Sequence, residues 1–248
     1  MNRTVIVSNR VPGFARDWRE TSFKGGLEST LSSAVSDLNC LWFGWNGNVV
    51  QEGAVGSATI ETINPNLTRL TVPLSEKEYA DYYQGFASQS LWPLLHTMRE
   101  KIRFREDFLR AYVSTNARLA ETLEPHLSHQ DSVWVHDFHL FSIGAELRKG
   151  GFRGPIGFFL HVPFPDNNAI SEFPWATDAM GPMRHYDLIG TQTTSDLERL
   201  EGFLTPARND SFMTLPTLGV YPVTVDPRSY LLDTMGPASP AVLKGKGF

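Results

Sequence analysis

The chain has 248 residues and a hydrophobic fraction of 41%, enough to bury the core of one large α/β domain. Its formal net charge is −5 and no stretch concentrates Lys and Arg, so neither a nucleic acid nor a membrane is an expected partner. The single cysteine, Cys40, excludes an internal disulfide. The apolar run 5–7 is too short for a signal peptide, and no run approaches a membrane span, so we expect a cytoplasmic protein.

The predicted elements alternate between short apolar strands and helices. Strands are predicted at 5–7, 41–45, 133–137, 156–161, 187–190 and 218–223, and helices after the glycine pair at 25–26 and at 76–98, 108–123, 138–148 and 194–204, with short strands or a hairpin in 47–75. This alternation is typical of a mostly parallel, doubly wound α/β sheet with helices on both faces. We expect one domain over residues 1–235, followed by a Pro-, Gly- and Lys-rich tail or linker at 236–248.

Polar side chains recur where the predicted strands end. The first strand leads into Asn9 and Arg10, the second into Trp45 and Asn46, the third into Asp137 and His139, and the fourth into His161. Each residue alone has a structural explanation, such as a buried indole or a solvated cation. Because ligands bind beyond the carboxyl ends of parallel strands, the recurrence predicts one shared crevice.

The segment Lys24–Leu27 places two glycines before a predicted helix. Gly25 and Gly26 allow close backbone approach, and the free N–H groups at the helix start suit a phosphate or diphosphate, although the pair could simply form a tight turn. The sequence contains neither the G-x-G-x-x-G dinucleotide fingerprint nor the phosphate loop of NTPases. A nicotinamide dehydrogenase is therefore disfavoured.

Two further clusters have alternative interpretations. The aromatic segments 82–86 and 91–93 suit either stacking on a sugar or packing in a core. His136, Asp137, His139 and His161 contain the residue types of a metal site. We expect no metal, because His136 and His139 flank a strand-to-helix turn that separates them and because the chain has no D-x-D motif.

Taken together, these motifs resemble the trehalose-6-phosphate synthase family. The resemblance is carried in order by the segments 7–10, 25–27, 41–45, 82–93, 134–140, 156–165 and 186–193. It extends from residue 4 to about residue 228, and the segments around Asp137 and His161 are its most specific parts.

The resemblance implies the N-terminal half of a GT-B glycosyltransferase, in which two Rossmann-like domains face each other across a cleft. Such enzymes transfer glucose from UDP-glucose, or another nucleotide-glucose, to glucose 6-phosphate with retention at the anomeric carbon. The nucleotide-sugar is a co-substrate, and no other cofactor is implied. By resemblance, Arg10, Trp45, Tyr83 and Trp92 bind the acceptor, Gly25 and Gly26 meet the donor diphosphate, and Asp137 and His161 act at the donor sugar and reacting centre.

The chain also departs from the family pattern. In the family a second domain follows and supplies most of the nucleotide site, whereas this chain ends at Phe248, so we expect little catalysis without a second domain or chain. The segment 166–170 differs from the sequence that is usual in the family, so the resemblance does not predict the acceptor-side loop. Two alternatives remain: a catalytically silent sugar-phosphate-binding or assembly subunit, and a related transferase with another acceptor, such as a pseudo-glycosyltransferase or a glucosylglycerol-phosphate-type synthase.

Overall fold

The computed structural model describes residues 3–11, 39–56, 58–205 and 215–222, and within these ranges eight strands form one sheet. The strands are β1 (Thr4–Arg10), β2 (Cys40–Val50), β3 (Thr59–Asn64), β4 (Leu67–Ser75), β5 (Ser132–His136), β6 (Ile156–Phe159), β7 (Leu188–Thr191) and β8 (Thr217–Val220). Their order across the sheet is β3-β4-β2-β1-β5-β6-β7-β8. Every neighbouring pair is parallel except β3 and β4, which form an antiparallel hairpin.

Helices lie in the connections between these strands. They are α1 (Glu78–Leu91), α2 (Trp92–Leu95), α3 (Glu106–Leu123), α4 (Ile143–Lys149), α5 (Asn167–Ser171), α6 (Pro174–Met180) and α7 (Thr194–Leu204). Helix α1 is a π-helix of 14 residues, a geometry that usually occurs as single turns near functional sites. In the part of the chain that the structure describes, no helix is long and apolar enough to cross a membrane.

Both faces of the central strands are buried. Because successive side chains of a strand point to opposite faces, Val5 and Val7 of β1 enter the large core that contains residues of α1, α3 and α4. Ile6 instead joins Cys40 and Trp42 in a second cluster. The mostly parallel, doubly wound α/β fold predicted from the sequence is confirmed.

The strand order places a switch point between β1 and β5. From β1, the chain builds one side of the sheet through β2 and β4 and the other side through β5 to β8. Ligands of open α/β sheets bind at such a switch point, beyond the carboxyl ends of the strands. Strand β1 ends there at Arg10 and β5 at His136.

The helix predicted over 138–148 is wrong in its first part. Residues Phe138–Leu140 form a 3₁₀ turn, and α4 begins only at Ile143. The Tyr112 hydroxyl donates to the carbonyl of Phe138 (2.8 Å) and accepts from the N–H of Phe141 (3.0 Å). A distant side chain thus takes the backbone groups that a continuing helix would pair.

Several strand boundaries and two short helices also differ from the predictions. Strand β2 extends to Val50, β6 ends before His161, β7 begins after Asp187, and β8 ends at Val220. The Asp187 carboxylate accepts one hydrogen bond from the Ile156 N–H (2.7 Å) and one from the Arg148 side chain. Asp187 therefore binds the start of β6, and β7 begins at the next residue. Helices α5 and α6 were not predicted; they begin with an Asp166 cap and with Pro174.

Some predictions fall outside the described residues. These are the glycine pair Gly25–Gly26, the helix expected after it and the tail expected at 236–248. The domain boundary at residue 235 therefore stays a prediction.

Two glycines of the sheet provide a matched test of the packing. A Cβ atom on Gly44 of β2 would lie 2.1 Å from the carbonyl oxygen of Ser8, whereas a Cβ on Gly157 of β6 would meet nothing closer than Trp134 Cδ1 at 3.7 Å. We expect Gly44→Ala to lower the free energy of unfolding by about 3 kcal/mol, because overpacking against a backbone cannot be relieved by a rotamer change. Gly157→Ala should change it by less than about 0.5 kcal/mol. Urea titration measures both, and equal losses would contradict the strand packing.

Candidate active site

Arg10 lies exposed at the carboxyl end of β1. Its guanidinium carbon is 5.7 Å from the centre of the Trp45 ring, within the range of a cation–π contact. Gly47 leaves room for it, because a Cβ there would lie 2.8 Å from a guanidinium nitrogen. No carboxylate among the described residues forms an ion pair with Arg10. The permanent charge of this side chain is therefore free for an anion.

An aromatic wall stands beside Arg10. Trp45 is 6% exposed, and its indole N–H donates to the Asn48 carbonyl (2.7 Å). The Tyr83 ring lies 5.5 Å from the Trp45 ring. It is stacked between Tyr79, at 5.5 Å and 19°, and His139, at 5.7 Å and 16°. Tyr79 was not among the predicted site residues, although its spacing of four from Tyr83 within a predicted helix was a usable signal.

Trp92 extends this wall at the start of α2. It is 41% exposed, and its ring packs against that of His96 with 3.9 Å between the ring centres. Its ring lies 5.7 Å from that of Phe138, which in turn lies 4.1 Å from the His139 ring. The four residues expected to bind the acceptor, Arg10, Trp45, Tyr83 and Trp92, are thus joined through contacts with Phe138 and His139.

Asp137 follows β5 in an unusual backbone conformation. Its φ is 76° and its ψ is 163°, a region that glycine occupies almost alone and that costs other residues about 1–3 kcal/mol. Its N–H donates to the Phe159 carbonyl (2.9 Å), which fixes it to the end of β6. Burial raises the pKa of the Asp137 carboxyl to about 6, while the N–H groups of Phe138 and His161 act to lower it. Near pH 7 this carboxyl is mainly ionised.

Two histidines pair beside Asp137. His136 Nδ1 and His161 Nε2 are 2.9 Å apart, and the side-chain amide of Gln192 donates to the His161 carbonyl. Burial lowers the pKa of His136 to about 3, with a smaller contribution from His161, and lowers the pKa of His161 to about 4. Burial also lowers the pKa of His139 to about 3. All three imidazoles are therefore neutral near pH 7, each with one donor and one acceptor.

Several buried polar atoms in this turn lack a partner. Within the described ranges, His136 Nε2, Asp137 Oδ1 and His139 Nδ1 make no hydrogen bond. An unsatisfied buried polar group costs about 1–3 kcal/mol, so three within four residues need an explanation. Together they are a local cost to the stability of the folded chain.

The geometry does not assemble these residues as a metal centre. His136 bonds to His161, whereas His139 stacks on Tyr83. In the described part of the chain, no group of three or more His, Cys, Asp or Glu side chains is arranged to hold a metal ion.

One hydroxyl connects the two parts of the crevice. Tyr82 donates to Asn9 Oδ1 (3.0 Å), next to Arg10, and lies 3.4 Å from the His139 carbonyl. The structure therefore brings Arg10, Trp45, Asp137 and His161 to one edge of the sheet, as the predicted strand ends indicated, and Tyr83 of α1 joins them. The roles assigned to these residues stay predictions.

The chain matches a known protein family along most of its length. The family model described as glycosyltransferase family 20 matches residues 2–208. The trehalose-6-phosphate synthase of Enterobacter sp. (strain 638) is 34% identical over 256 residues, which cover 99% of this chain and 52% of that protein. The chain thus spans about half the length of the curated relatives it matches.

Two solved structures have a fold similar to that of this chain. An alpha,alpha-trehalose-phosphate synthase (UDP-forming) from Burkholderia xenovorans in complex with glucose-6-phosphate has a TM-score of 0.80 and 29% identity, covering 92% of this chain and 51% of that chain. A structure from E. coli bound with UDP-2-fluoro glucose has a TM-score of 0.82 and 30% identity, covering 96% and 52%. The resemblance inferred from the motifs is confirmed, and the chain belongs to glycosyltransferase family 20.

Proposed function

We propose that this chain forms the acceptor-binding half of a retaining glycosyltransferase that makes trehalose 6-phosphate. The donor is UDP-glucose or another nucleotide-glucose, and the acceptor is glucose 6-phosphate. The relatives support this substrate pair, since one solved structure contains glucose-6-phosphate and another UDP-2-fluoro glucose. The observation that carries the proposal is the free Arg10 guanidinium, the aromatic wall and the Asp137 turn at one switch point.

Arg10 and the aromatic wall suit the acceptor. A planar guanidinium can form two parallel hydrogen bonds with a phosphate, and it keeps its charge at every relevant pH. The exposed Trp92 offers an amphipathic surface that can pack on a sugar ring, whereas Trp45 and Tyr83 lie against neighbouring rings and support this wall. Arg10 lies against Trp45, so the phosphate and the ring of one hexose phosphate can be held together.

The Asp137 turn suits the reacting centre. The ionised Asp137 carboxyl accepts hydrogen bonds from sugar hydroxyls, and the neutral His161 imidazole offers one donor and one acceptor. Gly25 and Gly26 complete the proposal as backbone donors to the donor diphosphate. The described residues that we assign to the crevice include one cation, Arg10, which the acceptor occupies. We expect the cations that offset the charge on the leaving diphosphate to come from a second domain or chain.

The acceptor assignment predicts that glucose 6-phosphate binds more tightly than glucose. Arg10→Ala should weaken glucose 6-phosphate binding on the order of tenfold to a hundredfold, because a charge-assisted hydrogen bond is lost, and should leave glucose binding nearly unchanged. Arg110→Ala, at an exposed position of α3, is the matched control. Isothermal titration calorimetry measures all three proteins. Equal affinity for the two sugars in the wild type contradicts the role of Arg10.

Residues 1–248 alone should form no appreciable trehalose 6-phosphate from UDP-glucose and glucose 6-phosphate. A helix N-terminus contributes about 1 kcal/mol toward an anion, whereas enzymes lower barriers by about 8 kcal/mol or more. Fusing residues 1–228 to the remaining half of the Enterobacter relative should restore turnover, and Asp137→Ala in the fusion should abolish it. Fast turnover by the chain alone would contradict a missing donor half. A fusion that binds glucose 6-phosphate but never turns over would favour the silent subunit.

The backbone of Asp137 predicts an inverted stability order at this position. Glycine normally destabilises a chain by about 0.5–1 kcal/mol relative to alanine, but it adopts the observed φ and ψ without strain. We therefore expect Asp137→Gly to have a higher free energy of unfolding than Asp137→Ala, by about 1 kcal/mol. Urea titration of the two variants tests this order. Because both variants lack the carboxyl, the free energy of its desolvation does not enter the difference between them. A more stable alanine variant would show that the position is unstrained.

A further inference from the structure

The turn after Asp137 is held by side chains from outside it. The Phe138 carbonyl accepts from the Tyr112 hydroxyl (2.8 Å), the His139 carbonyl from the Asn116 amide (3.1 Å), and the Leu140 carbonyl from the Tyr186 hydroxyl (2.8 Å). Three consecutive carbonyls thus have a side-chain donor each. Tertiary contacts, rather than a helical ladder, fix the backbone that leaves Asp137.

Tyr112 is the central part of this arrangement. It is fully buried, and its hydroxyl both donates to the Phe138 carbonyl and accepts from the Phe141 N–H, so that it spans the turn. Burial raises the pKa of Tyr112 well above its ordinary value, and the hydroxyl keeps its proton near neutral pH. Asn116, one helical turn later in α3, donates to the carbonyls of Tyr112 (3.0 Å) and His139. Helix α3 is thereby tied to the turn at two successive carbonyls.

The hydrogen bonds from Tyr112 and Asn116 to the turn oppose relaxation of the strained backbone at Asp137. A non-glycine residue persists at φ 76° and ψ 163° only where its surroundings over-determine the backbone. On one side, the Asp137 N–H is held by the Phe159 carbonyl. On the other side, the turn is held by Tyr112 and Asn116. Without this second restraint, the chain is free to relax toward an ordinary conformation.

We propose that Tyr112 and Asn116 are positioning residues that keep Asp137 in its strained backbone conformation, at the place where the transfer reaction needs its carboxyl. The positioning is a property of the folded chain, whereas its use in catalysis rests on the proposed function. Tyr112 acts through the Phe138–Phe141 backbone and does not itself touch substrate.

Tyr186 offers a matched control. Its hydroxyl is also buried, donates to the Leu140 carbonyl and accepts from the Gly144 N–H (3.2 Å). It therefore has the same chemistry as Tyr112 but binds the last residue of the turn and the start of α4, farther along the chain from Asp137. Loss of this hydroxyl removes equivalent bonds but leaves in place those to Phe138 and His139, the residues next to Asp137.

A double-mutant cycle on stability separates positioning from ordinary packing. Tyr112→Phe is introduced into the Asp137→Ala and Asp137→Gly backgrounds, and the urea midpoint is measured. With alanine at position 137, loss of the Tyr112 hydroxyl lets the strained backbone relax, and this relaxation recovers part of the free energy of unfolding that is lost with the hydrogen bonds. Glycine at position 137 is not strained, so it recovers nothing. We expect the larger drop in midpoint with glycine, and equal drops in both backgrounds for Tyr186→Phe. Equal drops for Tyr112→Phe would overturn the proposal.

A spectroscopic measurement provides the second readout. The titration of the Asp137 carboxyl is followed by ¹³C NMR with labelled aspartate, assigned with Asp137→Asn. Tyr112→Phe should move the pKa down toward that of an ordinary aspartate, because the relaxed residue gains water, and Tyr186→Phe should leave it raised. Asn116→Ala serves in the same way if Tyr112→Phe does not fold. An unshifted pKa in the folded variant overturns the proposal. Neither measurement uses substrate, so failure here is distinguishable from failure of the Arg10 binding test.

Discussion

The hydrogen bond from the Asp137 N–H to the Phe159 carbonyl is the constraint on which the site depends. It holds the residue after β5 against the end of β6 while φ is positive. The chain therefore leaves the sheet abruptly. Phe138 then contacts Trp92, and His139 stacks on Tyr83, whereas His136 stays in the strand within reach of His161. One backbone conformation thus distributes neighbouring side chains to the aromatic wall and to the pair formed by His136 and His161.

This arrangement opposes stability, and the core around it has to offset the cost. Strain at Asp137 and the unsatisfied atoms of the turn together disfavour the folded state. The surrounding side chains include fully buried aromatic residues, among them Tyr82, Phe86, Tyr112 and Phe141. Burying such rings is strongly favourable, and their packing leaves few alternative positions for the turn. The strained backbone and three of the unsatisfied atoms coincide with the place of the proposed chemistry, as is common at a functional site.

Much of the fold could be predicted from the sequence because apolar runs and helical spacing are local signals. The polar residues that follow the apolar runs are also a local pattern, which is why Arg10, Trp45, Asp137 and His161 could be predicted to share one crevice, although β2 continues past Trp45 to Val50. The interrupted helix after Asp137 could not, because the groups that interrupt it come from Tyr112 and Tyr186, far away in the chain. The positive φ of Asp137 had no sequence signal either, since glycine is the residue that usually marks it.

The electrostatics of Asp137 limit how a nucleotide-sugar could bind beside it. Its pKa is raised by burial and opposed only by the backbone N–H groups of Phe138 and His161, so within the described ranges no cation contributes to it. The neighbouring His136 and His161 are neutral and offer no positive charge. A diphosphate brought near this carboxyl would raise its pKa further and be repelled by its ionised form. Binding a nucleotide-sugar beside an ionised Asp137 is therefore favourable only if cations accompany the diphosphate. Arg10, the one cation among the described residues that we assign to the crevice, lies against Trp45 and does not contribute to the pKa of Asp137, so under the proposed function these cations come from elsewhere.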